Sequence, residues 1–212
     1  MRLPQAPLNR HMPRSQRGVS LIAVMVVMLV ASLLGLLAMQ LSMLGERGAR
    51  NDRDIQIALQ SAEAALADAE YDMRGPGTAT RMSTFTAANR MDFLAGCGTA
   101  GDGHRKGLCL PSDAGKPVWL AVDFTDSGSS ARSAAFGDFT QRAFDAASSG
   151  DGLGLKPARK PRYIIEVLPD ADAGQFLDAQ TGASRAVYRI TAMGFGPRPD
   201  LQAVVQMIYR KE

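Results

Sequence analysis

The residues of this chain best suited to chemistry are Cys97, His104 and Cys109: both cysteines, and the sole histidine apart from His11. Two thiolates and an imidazole are zinc ligands by type, but a closed tetrahedral site needs a fourth ligand and none accompanies them. Cysteines that enclose a Gly-rich polar loop pair in an oxidising compartment, so a Cys97–Cys109 disulfide is expected in an exported chain and no metal is assigned. Gly150-Asp151-Gly152-Leu153-Gly154 has the glycines of a phosphate-cradling loop without the Lys and Ser or Thr that complete one, and reads as a surface loop. Asp170-Ala171-Asp172-Ala173-Gly174 opens like a calcium loop, yet no Glu stands at the closing position. There is no serine elbow and the carboxylates are scattered, so neither a catalytic residue nor a cofactor is expected.

The elements that carry these residues follow from an uneven charge distribution. The chain has 212 residues, with Lys+Arg 24 against Asp+Glu 21, room for one domain and an appendage. Arg2, Arg10, Arg14 and Arg17 precede any acid, and no charge occurs between Arg17 and Glu46. Removing those four arginines from Lys+Arg 24 leaves 20 against Asp+Glu 21, so the basic total belongs to the leader. It gives no argument for nucleic acid, and no basic stripe interleaved with aromatics revives one. Gly18 to Gly45 reads GVSLIAVMVVMLVASLLGLLAMQLSMLG, longer than the ~20 residues that cross a bilayer as a helix. Arginines on its N-terminal side place residues 1–17 in the cytoplasm and the C-terminal body in the periplasm or outside the cell. The apolar run is too long for a secretory signal peptide, and a helical pattern continues it.

Beyond Glu46 that pattern becomes amphipathic. Ile55, Leu59, Ala62, Leu66, Ala69 and Met73 recur at helical spacing and predict one stripe lying on a sheet, with Arg53, Gln60 and Asp68 opposite. Gly75-Pro76-Gly77 ends the helix. Alternation predicts four strands, around Val118–Phe124, Tyr163–Leu168, Val187–Ala192 and Leu201–Arg210, the last two joined through Gly194–Asp200. Residues 74–117 and 126–160 read as loops with short helices such as Phe136–Ala147. The expected fold is α+β, a long hydrophobic-then-amphipathic helix packed on a C-terminal antiparallel sheet of about four strands.

Particular segments resemble a known family. Arg17-Gly18-Val19-Ser20-Leu21-Ile22 resembles the prepilin peptidase site of type IV pilins, where cleavage after the glycine frees the hydrophobic helix as the new N-terminus. The stretch Leu59-Gln60-Ser61-Ala62-Glu63-Ala64-Ala65-Leu66-Ala67-Asp68-Ala69-Glu70 is similar to the PilX family of type IV pilus assembly proteins, which are minor pilins. So are Pro161-Arg162-Tyr163-Ile164-Ile165-Glu166 and Tyr188-Arg189-Ile190-Thr191-Ala192-Met193-Gly194-Phe195-Gly196. The N-terminal match is common to many pilins, and the combination points to PilX.

The resemblance implies a pilin-like layout. Residues 1–18 would be the leader, 19–45 the membrane and filament-core half of the helix, 46–73 its amphipathic half, and 74–212 the globular domain. It implies processing at Gly18 and Val19 and assembly through a helix containing Val19, Ala23, Gly35, Gly45 and Gly48. The implied partners are prepilin peptidase, other minor pilins, the major pilin and a PilY-type tip adhesin. The expected role is to prime pilus assembly near the fibre tip. Most pilins carry Glu as the fifth residue after the cleaved glycine, and this chain has Ala23 there. Two alternatives remain: a minor pseudopilin of a type II secretion system, and a single-pass inner-membrane protein with a periplasmic binding or enzymatic domain.

Overall fold

A proline-free run of 56 residues forms helix α1, Val19–Arg74. Gly75 follows with its N–H donating to the Tyr71 carbonyl at 2.6 Å, which satisfies one of the carbonyls left open where a helix ends. The computed structural model describes residues 19–75, 81–86, 89–147, 156–169 and 186–211. The leader through Gly18, the glycine loop at 150–154 and the acidic loop at 170–174 lie outside the described residues.

The chain divides into two compact units, 1–49 and 50–212. In the first, every large apolar side chain from Leu21 to Leu44 is exposed, from 47% at Val30 to 70% at Leu41. Among the described residues α1 is the one helix long and apolar enough to cross a membrane, with a mean hydropathy of 2.9 over an 18-residue window. Side chains so apolar and so exposed call for lipid or protein around them.

In the second unit the C-terminal part of α1 is followed by β1 (Leu94–Ala95), β2 (Leu108–Leu110), the one-turn helix α2 (Val118–Ala121) and β3 (Ala134–Ala135). Then come β4 (Arg162–Leu168), β5 (Ala186–Phe195) and β6 (Gln202–Lys211). They build a six-stranded sheet in the order β1-β2-β4-β5-β6, with β3 also paired to β4. β4, β5 and β6 are antiparallel neighbours, whereas β1 with β2 and β2 with β4 run parallel. β2 pairs with β4 at Ile165 and Glu166, and β3 pairs with it at Arg162 and Tyr163.

Both faces of β4 are covered, so its side chains are buried irrespective of their alternation. On one face Tyr163, Ile165, Tyr188 and Ile190 pack with Ala65, Ala69 and Met73 of α1 and with Phe85 and Phe93. On the other, Ile164 packs with Cys97, Cys109, Val118, Val122 and Phe124. The outermost strand, β6, alternates strictly between half-buried and exposed positions, as expected for a strand with one face on the core.

Three expectations change. Val118–Phe124 is not a strand: it begins as α2, because Val118 and Val122, four apart, are buried while Leu120 between them is 56% exposed. Phe136–Ala147 is not a helix but turns and irregular chain. Gly137 and Gln141 have φ of 82° and 57°, left-handed conformations that stop a right-handed helix. The sheet is mixed rather than antiparallel throughout, because the short strands β1 and β2 extend it in parallel beyond the long antiparallel trio, while the two-residue β3 joins β4 antiparallel.

Candidate functional site

The C-terminal part of α1 carries a docking face for the sheet. Ala58, Ala62, Ala65 and Ala69 are each at most 1% exposed and follow one another at helical spacing. Small side chains let a sheet approach the helix backbone closely. The approach is tightest at Gly194 on β5, where a Cβ would overlap the Ala58 carbonyl oxygen and the Ala62 amide nitrogen. Glycine is required there for want of space, independent of any special dihedral angle.

Of the stripe expected from the sequence, Ala62, Ala69 and Met73 are fully buried and Leu66 packs against the core at half-burial. Ile55 and Leu59 are 45% and 39% exposed, and Asp68, expected on the opposite side, is fully buried. The contact face is turned toward the alanines because bulky side chains would hold the sheet away.

Two carboxylates on this face are satisfied by protein. Asp68 accepts from the Gly137 N–H at 2.8 Å and the Thr140 hydroxyl at 2.6 Å, with Arg142 Nη1 at 3.5 Å. Burial raises its pKa above the ordinary aspartate value, against the lowering effect of those bonds and of Arg142. One turn on, Asp72 accepts from Arg81 Nε at 2.9 Å and from Arg81 Nη2, and the Tyr163 hydroxyl donates to it at 3.0 Å. Both members of this ion pair are fully buried.

Arg81 Nη1 donates to the carbonyls of Lys106 at 2.7 Å and His104 at 3.2 Å, and its guanidinium lies 3.5 Å from the centre of the Phe139 ring. A buried pair of this kind needs its remaining donors and acceptors used, and here they join α1, the loop before β2 and β4. Burial, reinforced by the Asp72 charge, pushes the Tyr163 phenol well above its usual pKa, so Tyr163 remains a donor.

Cys97 and Cys109 form a disulfide, which removes both sulfurs from metal chemistry. His104 Nε2 instead lies 3.2 Å from Asp92 Oδ1. Among the described residues no group of three or more His, Cys, Asp and Glu is placed to hold a metal ion. The contacts of Gly194, Asp68 and Asp72 hold the C-terminal part of α1 against the sheet and loops.

The remaining residues singled out in the sequence lie along α1. Val19 is its first residue, and Ala23 is exposed. Gly35, Gly45 and Gly48 sit within the helix with nothing within 4 Å of where a Cβ would stand. Gly18 lies outside the described residues. Sequence reasoning missed Asp72, Arg81, Tyr163 and the packing role of Gly194. The signal available was Asp68 and Asp72 spaced like the alanines, which puts two acids on the face meant for the core.

Comparison with known families matches the two halves of this arrangement separately. The PilX N-terminal model covers residues 17–67, the exposed apolar helix and the start of the alanine face. The model described as type IV pilus assembly protein PilX, C-terminal, covers residues 105–211, more than half of the chain, including β2 to β6. No match was found among curated proteins or among solved structures. An apolar helix joined to a sheet through this face, matched at both ends by the same family, makes the chain a member of the PilX family of type IV pilus assembly proteins.

Proposed function

We propose that this protein is a minor pilin, cleaved after Gly18, that co-assembles with other minor pilins to prime type IV pilus assembly near the fibre tip. The observation that carries this reading is the contrast along α1: the alanine face at 58–69 is buried on its own sheet, while Leu21–Leu44 is exposed throughout. An exposed apolar helix suits a segment that first spans the inner membrane and then packs among other subunits' helices. In the membrane stage the arginine-rich leader stays cytoplasmic and the body is periplasmic. Prepilin peptidase, the major pilin and a PilY-type adhesin complete the partner set.

Ala23 supports a place near the tip. A buried Glu at this position would need a neighbour's N-terminal amine, and a subunit with no neighbour above it would hold an unpaired charge. The test is the mass of the detergent-solubilised chain and the identity of what co-purifies with it. Loss of the first 18 residues, blocked by Gly18→Val, together with co-purifying minor pilins is the expected result. A chain that keeps Met1, or that co-purifies with secretion-system subunits instead, overturns the reading.

A further inference from the structure

On the sheet face turned away from α1, where β4 begins and β5 ends, lies a groove of about 440 Å³. Its lining includes Arg159, Lys160 and Arg162, with Phe124, Thr125 and Phe195, and among the described residues contains no acid. Arg162 is only 7% exposed, and a guanidinium so enclosed is disfavoured unless a negative charge accompanies it. The protein supplies it one neutral residue: Nε donates to Ser133 Oγ at 2.7 Å and Nη2 to the Ser133 carbonyl. Nη1 has no acceptor among the described residues, and Arg162 forms no ion pair there.

The two described acids whose charge reaches it are committed elsewhere. Asp126 accepts from the Gly128 N–H at 2.8 Å and the Ser130 hydroxyl at 2.8 Å, and Asp138 accepts from Lys106 Nζ at 2.7 Å and the Ala135 N–H at 2.9 Å. They act on Arg162 only through their field, and burial still lowers its pKa. At the rim, Arg159 is held by the Thr125 carbonyl at 3.3 Å and lies 6.0 Å from the Phe195 ring centre. Lys160 is exposed and has no ion pair among the described residues.

We propose that this groove binds an acidic peptide segment of a neighbouring pilus subunit, with Arg162 receiving a carboxylate in the groove and Arg159 and Lys160 holding the segment at its rim. The planar guanidinium fork matches a carboxylate, and pinning by Ser133 fixes its orientation before the ligand arrives. A space of this volume takes a few residues of an extended segment, not a folded domain. The inference rests on the pilus-assembly reading, which supplies the neighbouring subunits.

The test is photocrosslinking in cells, using the full chain with p-benzoylphenylalanine in place of Thr125. The expected product joins this chain to another pilus subunit through a segment containing Asp or Glu. Its yield should fall about tenfold with Arg159→Glu and Lys160→Glu together, both at the rim, and fall likewise when the acid in the crosslinked segment, which faces Arg162, is changed to Lys. Crosslinking that ignores the charge reversal, reaches lipid, or joins a segment without an acid overturns the groove assignment, as does no crosslink at all. Pilus subunits co-purifying with the unaltered chain are scored in the same cells. Their absence sinks the pilus-assembly reading as well, whereas their presence with a negative crosslink sinks the groove alone.

Discussion

Gly194 and Ala62 meet backbone to backbone: a Cβ on the glycine would stand 2.8 Å from the Ala62 Cα. Helix and strand must separate to admit a methyl group. Gly194→Ala should therefore destabilise the body by roughly 1–3 kcal/mol, read from denaturant unfolding of the detergent-solubilised chain. Gly45→Ala, where a Cβ meets nothing within 4 Å, is the control, and it should hold or gain up to about 1 kcal/mol of helix stability. Equal behaviour of the two variants would show that the close approach is not limiting.

The Asp72–Arg81 pair should be far more sensitive to loss of one partner than of both. Arg81→Met leaves the buried Asp72 carboxylate with the Tyr163 hydroxyl as its remaining side-chain donor among the described residues, a loss on the order of 3–5 kcal/mol. Combining it with Asp72→Asn removes the stranded charge and should restore part of the stability. A double variant no better than Arg81→Met alone would mean that the carboxylate is not what the single change strands.

Asp68 predicts a pH dependence of known sign. Burial raises its pKa in the folded protein, so the folded state holds this proton more tightly than the unfolded chain does. Its contribution is complete below about pH 4, the ordinary aspartate range, and is lost as pH rises through the raised value. Asp92, Asp102, Asp123 and Asp126 have lowered pKa values from their hydrogen bonds and work in the opposite sense as pH falls. The difference between the unaltered chain and Asp68→Asn isolates the one group. The unaltered chain should lose stability relative to the variant on going from pH 4 upward, and a flat difference would contradict the assignment.

The disulfide closes a loop of sequence separation 12, for which chain entropy gives roughly 3 kcal/mol. Cys97→Ala with Cys109→Ala should lower the unfolding free energy by about this amount and loosen the second apolar cluster, of which both sulfurs are part. Unchanged stability would show that the loop is already ordered by its other contacts. Thiol labelling of the unaltered exported protein, without reductant, should find neither cysteine free.

What the sequence disclosed, and what it hid, follows from the length of each signal. β5 and β6, ten residues each, alternate long enough to be read directly, as does the absence of proline and charge across the first half of α1. Val118 and Val122 satisfy period two and helical spacing at once, so four residues could not separate a strand from one helical turn. β1, β2 and β3 have no periodicity to detect. The hydrophobic stripe meets the docking face at Ala62, Leu66, Ala69 and Met73 but leaves it at Ile55 and Leu59, because the fold selects for small volume at Ala58 and Ala65 and fills the space beside them with Asp68 and Asp72. No sequence period marks acids that also take partners 69 and 91 positions away.

The way Arg81 is held also governs the order in which the body can form. Asp72 is nine positions away and reachable through a short loop, the Lys106 carbonyl is 25 away, and the Tyr163 side chain that completes Asp72 is 91 positions from it. Closing loops of such unequal length gives an early local encounter and a late long-range one. The ion pair is fully enclosed only with β4 in place, so the docking of β4 is the step expected to limit folding and to commit helix, loop and sheet together. Variants at Tyr163 should then slow refolding more than they speed unfolding, so that a strand far along the chain sets the pace for the helix before it.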